Sequence, residues 1–173
     1  MKCPGLQCLA LNAPPSSPQI ILAFDYGTRR IGVASGDTLT RTARPLQTFD
    51  YSGELPWPQL DRLVGEYRPA RLVVGLPYNM DGTPTSLTDT TRQFARDLQA
   101  RYQIDAVMVD ERLSSREAEG NLREARASGL KARRLTRGDI DMAAAKILLE
   151  RWFENPDAAH DPGAPASAAP PMI

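Results

Sequence analysis

Apolar residues between positions 20 and 154 follow two spacings, one typical of strands and one typical of helices. Continuous apolar runs bounded by Gly, Pro, Asn and Asp predict strands that are buried on both faces. The two stretches after the first run are separated by Gly36-Asp37, a turn signal that favours an antiparallel meander. The predicted strands span residues 20–25, 31–35, 42–49, 71–76 and 105–109.

Apolar residues at positions i, i+3, i+4 and i+7 predict helices in the rest of this region. Pro58 and Pro69 delimit the first helix. Ser86, with Asp89 three residues later, is a capping-box variant that begins the second. The element order is typical of an α/β domain, so we expect a five-stranded mixed sheet, an antiparallel meander plus parallel strands, with helices on both faces. The predicted helices span residues 58–68, 86–102, 114–127 and 140–152.

Two Pro- and Ala-rich ends flank this patterned region. Residues 1–19 and 155–173 lack the apolar content that offsets ordering entropy, so we predict disordered tails around one domain at 20–154. The single histidine, His160, lies in the second tail, which excludes histidine catalysis in the core.

Composition narrows the class of protein. The chain of 173 residues is 42% hydrophobic and 24% charged, as expected for a soluble domain, and its formal net charge is zero. No apolar run approaches membrane-spanning length, and the apolar stretch at 6–11 is short for a signal peptide. Cys3 and Cys8 match no zinc or redox spacing. We therefore expect a cytoplasmic protein with no membrane partner, in which any basic site is local.

Carboxylates follow the predicted strands at the edge where parallel sheets gather ligands. Asp25 ends the first strand and Glu111 follows the last one. Asp141 lies in the first turn of the final helix, where Ala143–Ala145 favour close approach to the sheet. Like charges at close range need a cation between them, and carboxylates without His or Cys select Mg²⁺ or Mn²⁺. Two such ions clamp the attacking and leaving oxygens of phosphodiester hydrolysis.

Basic and hydroxyl side chains near these acids predict contacts with nucleic-acid phosphates. The segment 123–137 is rich in arginine and lysine and directly precedes Asp141. Such a segment neutralises several backbone phosphates, which positions a nucleic acid without reading its sequence. The candidate substrate-binding residues are Thr28, Arg29, Asn79, Arg112, Arg133, Arg134 and Arg137.

Simpler interpretations of the same residues stay open. Asp25 is also explained as an acceptor of backbone amides in the turn that follows it. Glu111 is also explained as a surface ion-pair partner of Arg112 or Arg29, and the basic segment as a solvated loop. Asp139 is interpreted as structural, because an acid in the first turn of a helix interacts favourably with the helix dipole.

Four motifs in this order resemble those of the RuvX/YqgF family of Holliday junction resolvases and pre-16S rRNA nucleases. The resemblance covers about residues 20–154. The motifs are Phe24–Ala34 (FDYGTRRIGVA), Val74–Thr83 (VGLPYNMDGT), Asp110–Ser115 (DERLSS) and Ile140–Ala145 (IDMAAA).

The resemblance implies an RNase H-like fold and a metal-dependent endonuclease that acts on structured nucleic acid. It implies that Asp25, Glu111 and Asp141 are the catalytic, metal-binding acids, with two Mg²⁺ or Mn²⁺ ions when substrate is bound. The implied roles are 5′-end maturation of small-subunit ribosomal RNA, resolution of branched DNA, or both, by a monomer or a homodimer. RuvC-type resolvases carry an acid on the strand corresponding to 72–76, where this chain has none. Glu111 would have to compensate from the neighbouring strand, which weakens the analogy with RuvC for junction resolution.

Two other functions are compatible with the sequence. One is a non-catalytic nucleic-acid-binding module that retains the acids for folding. The other is an actin/Hsp70-like ATP-binding phosphotransferase, because residues 25–28 resemble the first phosphate loop of that superfamily. That class needs two domains around a cleft, and the chain has room for one.

Overall fold

The predicted strands form one five-stranded sheet in a computed structural model that describes residues 17–79, 81–110 and 136–163. The strand order is β3-β2-β1-β4-β5. Strands β1, β2 and β3 pair antiparallel, whereas β1–β4 and β4–β5 are parallel. This confirms the predicted mixed sheet. The strands are β1 (Ile20–Tyr26), β2 (Arg30–Asp37), β3 (Thr42–Asp50), β4 (Arg71–Leu76) and β5 (Ala106–Asp110).

Helices cover both faces of the sheet, as predicted. Helices α1 (Trp57–Tyr67) and α2 (Thr88–Tyr102) pack on one face, and α3 (Arg137–Glu154) packs on the other. The helix predicted at 114–127 lies outside the described residues. Within the part of the chain that the structure describes, no helix has the length and apolarity needed to cross a membrane.

Alternation along β1 decides which face each of its side chains occupies. Leu22 and Phe24 belong to the core beneath α1 and α2, whereas Ile21 and Ala23 belong to the core beneath α3. Successive side chains of a strand point to opposite faces. Asp25 therefore shares the face of Ile21 and Ala23, on the side where α3 lies.

Two glycines of β2 allow α3 to lie directly on the sheet. A Cβ atom at Gly32 would stand 2.2 Å from the backbone oxygen of Asp141, and one at Gly36 would stand 2.7 Å from the Phe153 ring. The sequence predicts a close approach of this helix from Ala143–Ala145. On the side of the sheet, the two glycines make that approach possible because they have no side chain. The close approach fixes the first turn of α3 over the end of the β1–β2 hairpin that is nearest the turn.

The start of α2 differs from the sequence prediction. Leu87, not Ser86, occupies the cap position, and no side chain caps this helix. The hydroxyl of Thr88 instead donates to the Pro77 carbonyl at 2.6 Å, and the Thr85 amide donates to Thr88 Oγ1 at 2.8 Å. Thr88 is buried, so tying the loop after β4 to the core delays the helix by one residue.

Residues 155–163 are ordered against the sheet, although the sequence predicts a disordered tail from 155. The backbones of Met108 and His160 exchange two hydrogen bonds of 2.8 Å. Arg96 donates from Nε to the Pro162 carbonyl at 3.1 Å. β5 is an edge strand, and unpaired backbone groups at a sheet edge accept a partner of almost any composition. The tail residues 1–16 and 164–173 lie outside the described residues.

Candidate active site

A cleft of about 310 Å³ opens where β1 ends, between the β1–β2 turn and the first turns of α2 and α3. It lies at the carboxyl ends of the parallel strands, the usual place for ligands in open α/β sheets. Its lining combines carboxylates with arginines. The residues that line it are Asp25, Gly27, Thr28, Arg29, Arg30, Leu87, Arg137 and Asp141.

The two aspartates reach this cleft from different elements. Asp25 is opposite Gly32 in the β1–β2 register, and Gly32 is the residue against which the Asp141 backbone rests. Asp25 is half-buried and Asp141 has 23% of its side chain exposed. The contact at Gly32 therefore explains why a strand residue and a helix residue line the same cleft.

Arg30 neutralises Asp141 within the cleft. Its Nε donates to Asp141 Oδ2 at 2.6 Å, with 29% of the Arg30 side chain exposed. The hydrogen bond and the charge of Asp141, with a smaller contribution from the charge of Asp50, raise the pKa of Arg30 above its ordinary value. Asp141 thus already has a cationic partner within the chain.

The turn that carries Thr28 and Arg29 is held by Tyr51, which follows β3. The Tyr51 hydroxyl donates to the Gly27 carbonyl, and the Tyr51 amide donates to the Arg29 carbonyl at 2.9 Å. Burial, then the hydrogen bond and charge of Tyr26, raise the pKa of Tyr51. A neutral hydroxyl therefore fixes this turn across the ordinary pH range.

The first turn of α3 is fixed by a capping box. Thr136 Oγ1 accepts from the Asp139 amide at 3.2 Å, and the Asp139 carboxylate accepts from the Thr136 amide at 2.9 Å. The Thr48 hydroxyl donates to the Gly138 carbonyl at 2.8 Å, which ties this turn to β3. Asp139 is 3% exposed and has the structural role predicted for it. Asp141, two residues later, faces the cleft.

Five of the ten predicted site residues line the cleft, and one lies elsewhere. The Asn79 side-chain amide donates to the Thr83 hydroxyl at 2.9 Å and to the Pro84 carbonyl at 3.3 Å, so it braces its own loop. Thr28, Arg29 and Arg137 join the two aspartates. The remaining four lie outside the described residues: Glu111, Arg112, Arg133 and Arg134.

Sequence reasoning missed Arg30 and Tyr51. A signal for Arg30 exists, because residues 30 and 32 of one strand share a face, and Gly32 faces α3. Its partner could not be read from the sequence, since that partner depends on how α3 sits on the sheet. No sequence pattern marks Tyr51, whose hydroxyl acts across 24 residues.

The described part of the cleft contains two carboxylates, those of Asp25 and Asp141. No three His, Cys, Asp or Glu side chains group closely enough for a metal ion within 17–79, 81–110 and 136–163. The donors present, Asp25 and Asp141, offer only oxygen, which suits a hard divalent cation. Arg29, Arg30 and Arg137 add positive charge of the kind that binds phosphate.

Comparison with known proteins gives one family and a consistent set of relatives. A family described as "RuvX: Holliday junction resolvase" matches residues 19–155. A protein of Edwardsiella ictaluri named "Putative pre-16S rRNA nuclease" is 45% identical over 140 residues, which are 80% of this chain and 97% of that one. A protein of Pectobacterium carotovorum with the same name is 47% identical over 135 residues, 78% of this chain and 94% of that one.

Two solved structures share the fold at low sequence identity. Thermus thermophilus RuvC bound to a Holliday junction substrate superposes with a TM-score of 0.51 at 14% identity, covering 82% of this chain and 98% of that one. The fowlpox virus resolvase bound to Holliday junction DNA also gives 0.51, at 12% identity, covering 80% of this chain and 99% of that one. The sheet and its helices are therefore an RNase H-like fold.

Proposed function

Because this chain belongs to the RuvX family of Holliday junction resolvases, we propose that it is a metal-dependent endonuclease acting on structured nucleic acid. The observation that carries the proposal is the cleft in which Asp25 and Asp141 lie among three arginines. Phosphodiester hydrolysis of this kind requires groups that bind a metal cation and groups that bind the anionic phosphate. The acids hold a cation, and the arginines hold the phosphate.

Asp25, Asp141 and Glu111 form the proposed metal site. Glu111 follows Asp110, the last residue of β5, and β5 is joined to β1 through β4 at the same edge of the sheet. Mg²⁺ or Mn²⁺, two ions once substrate is bound, would supply an activated water and stabilise the leaving oxygen. The chain's part is to present three carboxylates, from Asp25 of β1, Asp141 of α3 and Glu111, the residue after β5.

Phosphate binding falls to the residues around these acids. Arg29 and Arg137 line the cleft and present guanidinium groups that match phosphate geometry. Thr28 adds a hydroxyl in the turn that Tyr51 holds. Arg112, Arg133 and Arg134 extend the same surface in the proposal, whereas the side chain of Asn79 has the separate task of bracing the loop after β4.

The proposed substrates are a precursor of 16S ribosomal RNA, branched DNA, or both. The two relatives at 45% and 47% identity are named for the first, and the family description and the two solved complexes refer to Holliday junctions. We place the reaction in the cytoplasm and assign it to a monomer or a homodimer. A nucleic-acid-binding module without turnover is the second candidate, since the same arginines would serve it.

Cleavage by the purified protein tests the proposal. A four-way DNA junction and a ribosomal RNA precursor are incubated with Mg²⁺, with Mn²⁺ and with EDTA. We expect cleavage of at least one substrate with a divalent ion and none with EDTA. D25N and D141N should lose cleavage by at least a hundredfold, a loss of the size found for key catalytic groups.

The matched control is D157N, in an exposed turn after α3, which should cleave like the wild type. Binding of both substrates without cleavage in any metal would favour the non-catalytic module. Wild-type rates in folded D25N and D141N would refute the assignment of the acids.

A further inference from the structure

Arg30 forms a hydrogen bond with one carboxylate oxygen of Asp141, a ligand of the proposed metal site. Its Nε lies 2.6 Å from Asp141 Oδ2, a charge-assisted hydrogen bond in a partly exposed cleft. Asp141 Oδ2 cannot coordinate a divalent ion while it accepts this hydrogen bond from Arg30 in the same geometry. The protein thus contains a cation of its own on a proposed metal ligand.

Arg30 also has a second carboxylate within its reach. In the β2–β3 register Arg30 is directly opposite Asp50. Side chains at directly opposite positions of antiparallel strands are neighbours on the same face. Asp50 is exposed, so a guanidinium that leaves Asp141 has a second carboxyl group across the strand pair as well as any phosphate in the cleft.

We propose that Arg30 is a positioning residue that holds Asp141 as a counter-ion in the metal-free protein and is exchanged for the metal when a nucleic-acid phosphate enters the cleft. This inference rests on the proposed function and adds regulation to it. Arg30 opposes metal binding by the free protein. A phosphate draws the guanidinium away, and the oxygen it releases becomes a metal ligand.

Such an exchange couples the two ligands. If phosphate weakens the hold of Arg30 on Asp141, it raises the affinity for metal, and metal must raise the affinity for the nucleic acid by the same factor. The metal therefore binds more tightly to the complex of protein and nucleic acid than to the free protein. The coupling resides in one side chain, so it should disappear when that side chain is neutral.

Metal binding by the free protein is the direct test. Calorimetric titration of metal-free protein with Mn²⁺ compares the wild type with R30Q and with R30M, which keeps the apolar stem. We expect both variants to bind Mn²⁺ roughly tenfold more tightly, the weight of one hydrogen bond between charged groups. A purely structural loss at position 30 would weaken binding instead.

Arg29 provides the matched control. It lines the same cleft and carries the same charge, so R29Q measures the general effect of removing one positive charge from the cleft. We expect that effect to be about twofold, as for solvent-screened charges. A gain in R30Q and R30M no larger than that in R29Q overturns the role of Arg30.

A second titration measures the coupling. Mn²⁺ is titrated into protein saturated with a phosphorothioate-linked four-way DNA junction. The junction should raise Mn²⁺ affinity by roughly tenfold in the wild type and by less than about twofold in R30Q. Equal enhancement in both proteins overturns the exchange.

The two proposals fail in different ways. If the wild type and R30Q both bind no Mn²⁺, the metal-dependent nuclease and the exchange fall together. If the wild type binds Mn²⁺ and cleaves nucleic acid but R30Q and R30M bind the ion no more tightly, only the exchange falls.

Discussion

Tyr51 shows how one hydroxyl shapes the candidate active site without lining it. Its side chain and backbone donate to the carbonyls of Gly27 and Arg29, two residues of the turn between β1 and β2. That turn also closes on itself, since the Gly27 amide donates to the Arg30 carbonyl at 2.9 Å. The positions of Thr28 and Arg29 therefore depend on a residue that comes after β3.

Y51F tests this dependence at the scale of one atom. Removing the hydroxyl leaves the Gly27 carbonyl without its donor in a partly buried site, so we expect the free energy of unfolding to fall by about 1 kcal/mol. We also expect weaker binding of a four-way DNA junction, because the turn loses its brace. Chemical denaturation and fluorescence anisotropy measure the two effects.

Y67F is the control for Y51F, because Tyr67 ends α1 on the opposite face of the sheet. It should leave junction binding unchanged. If Y51F binds the junction as tightly as Y67F does, the hydroxyl does not position the turn.

At the scale of elements, the first turn of α3 is placed by a glycine on its neighbour. A Cβ atom at Gly32 would stand 2.2 Å from the Asp141 backbone oxygen, so G32A must push α3 off the sheet. We expect an unfolding free energy lower by about 1–3 kcal/mol, the usual cost of overpacking. Cleavage should also fall, because Asp141 moves with the turn.

G65A is the matched control for G32A. Gly65 is an exposed residue of α1, and a Cβ atom there meets nothing within 4 Å. Alanine is a better helix former by about 0.5–1 kcal/mol, so G65A should be as stable as the wild type or more so. Equal stability of G32A and the wild type would contradict the close contact.

The pair of helices on the other face is locked by an ion pair. Asp61 of α1 accepts from Arg101 of α2 at 2.7 and 2.6 Å and from the Tyr102 hydroxyl at 2.8 Å. The Arg101 guanidinium also lies 5.1 Å from the centre of the Trp57 ring. Hydrogen bonds from Arg101 and then Tyr102 lower the pKa of Asp61 from 3.8 to about 2.

Low pH should break the ion pair between Asp61 and Arg101. A carboxyl whose pKa is lowered by folding stabilises the folded state above its ordinary pKa, and that stabilisation is lost as the pH falls through the folded-state pKa. D61N should therefore melt at a lower Tm than the wild type at pH 7, and the difference should vanish between about pH 4 and pH 2. D157N should show no difference at either pH.

Thermal melts across this pH range decide the point. A Tm difference between D61N and the wild type that is the same at pH 2 and pH 7 would mean that the ionised carboxylate does not hold the helices together. The contact is between helices that the sequence predicts separately. Its partners could not be read from either helix alone.

At the scale of the molecule, the sequence predicts the sheet and the helices on its two faces better than it predicts how these elements contact one another. Periodicity and a turn signal suffice to predict a mixed sheet with helices on both faces, because the local spacing of apolar residues shows which face of each element is buried. The turn itself lies later than predicted: Gly36 and Asp37 end β2, and the turn occupies residues 38–41. The order β3-β2-β1-β4-β5 and the seat of α3 on Gly32 depend on tertiary packing. His160 and Met108 pair through backbone groups alone. Every residue has these groups, so amino-acid composition could not predict this pairing.

The candidate site divides in the same way. Asp25 and Asp141 stand out in the sequence as charges beside apolar runs, and the structure brings both to one cleft. Arg30 does not stand out from its neighbour Arg29 in the sequence, yet Arg30 begins β2 and reaches Asp141, whereas Arg29 lies in the turn before that strand. Chemistry that depends on a side chain's type is readable from sequence, whereas chemistry that depends on its direction needs the fold.

A zero net charge makes the salt dependence of binding a test of the cleft rather than of the whole surface. If Arg137 contacts one phosphate, R137Q should reduce the slope of log affinity against log salt by roughly 0.7–0.9, the value for one contact. Anisotropy titrations in EDTA with a four-way DNA junction, from about 50 to about 200 mM salt, measure this slope. R62Q, on the exposed side of α1, removes the same charge far from the cleft and should leave the slope unchanged. Equal slopes in R137Q and R62Q would mean that phosphate is bound by general surface charge and not by the arginines around Asp25 and Asp141.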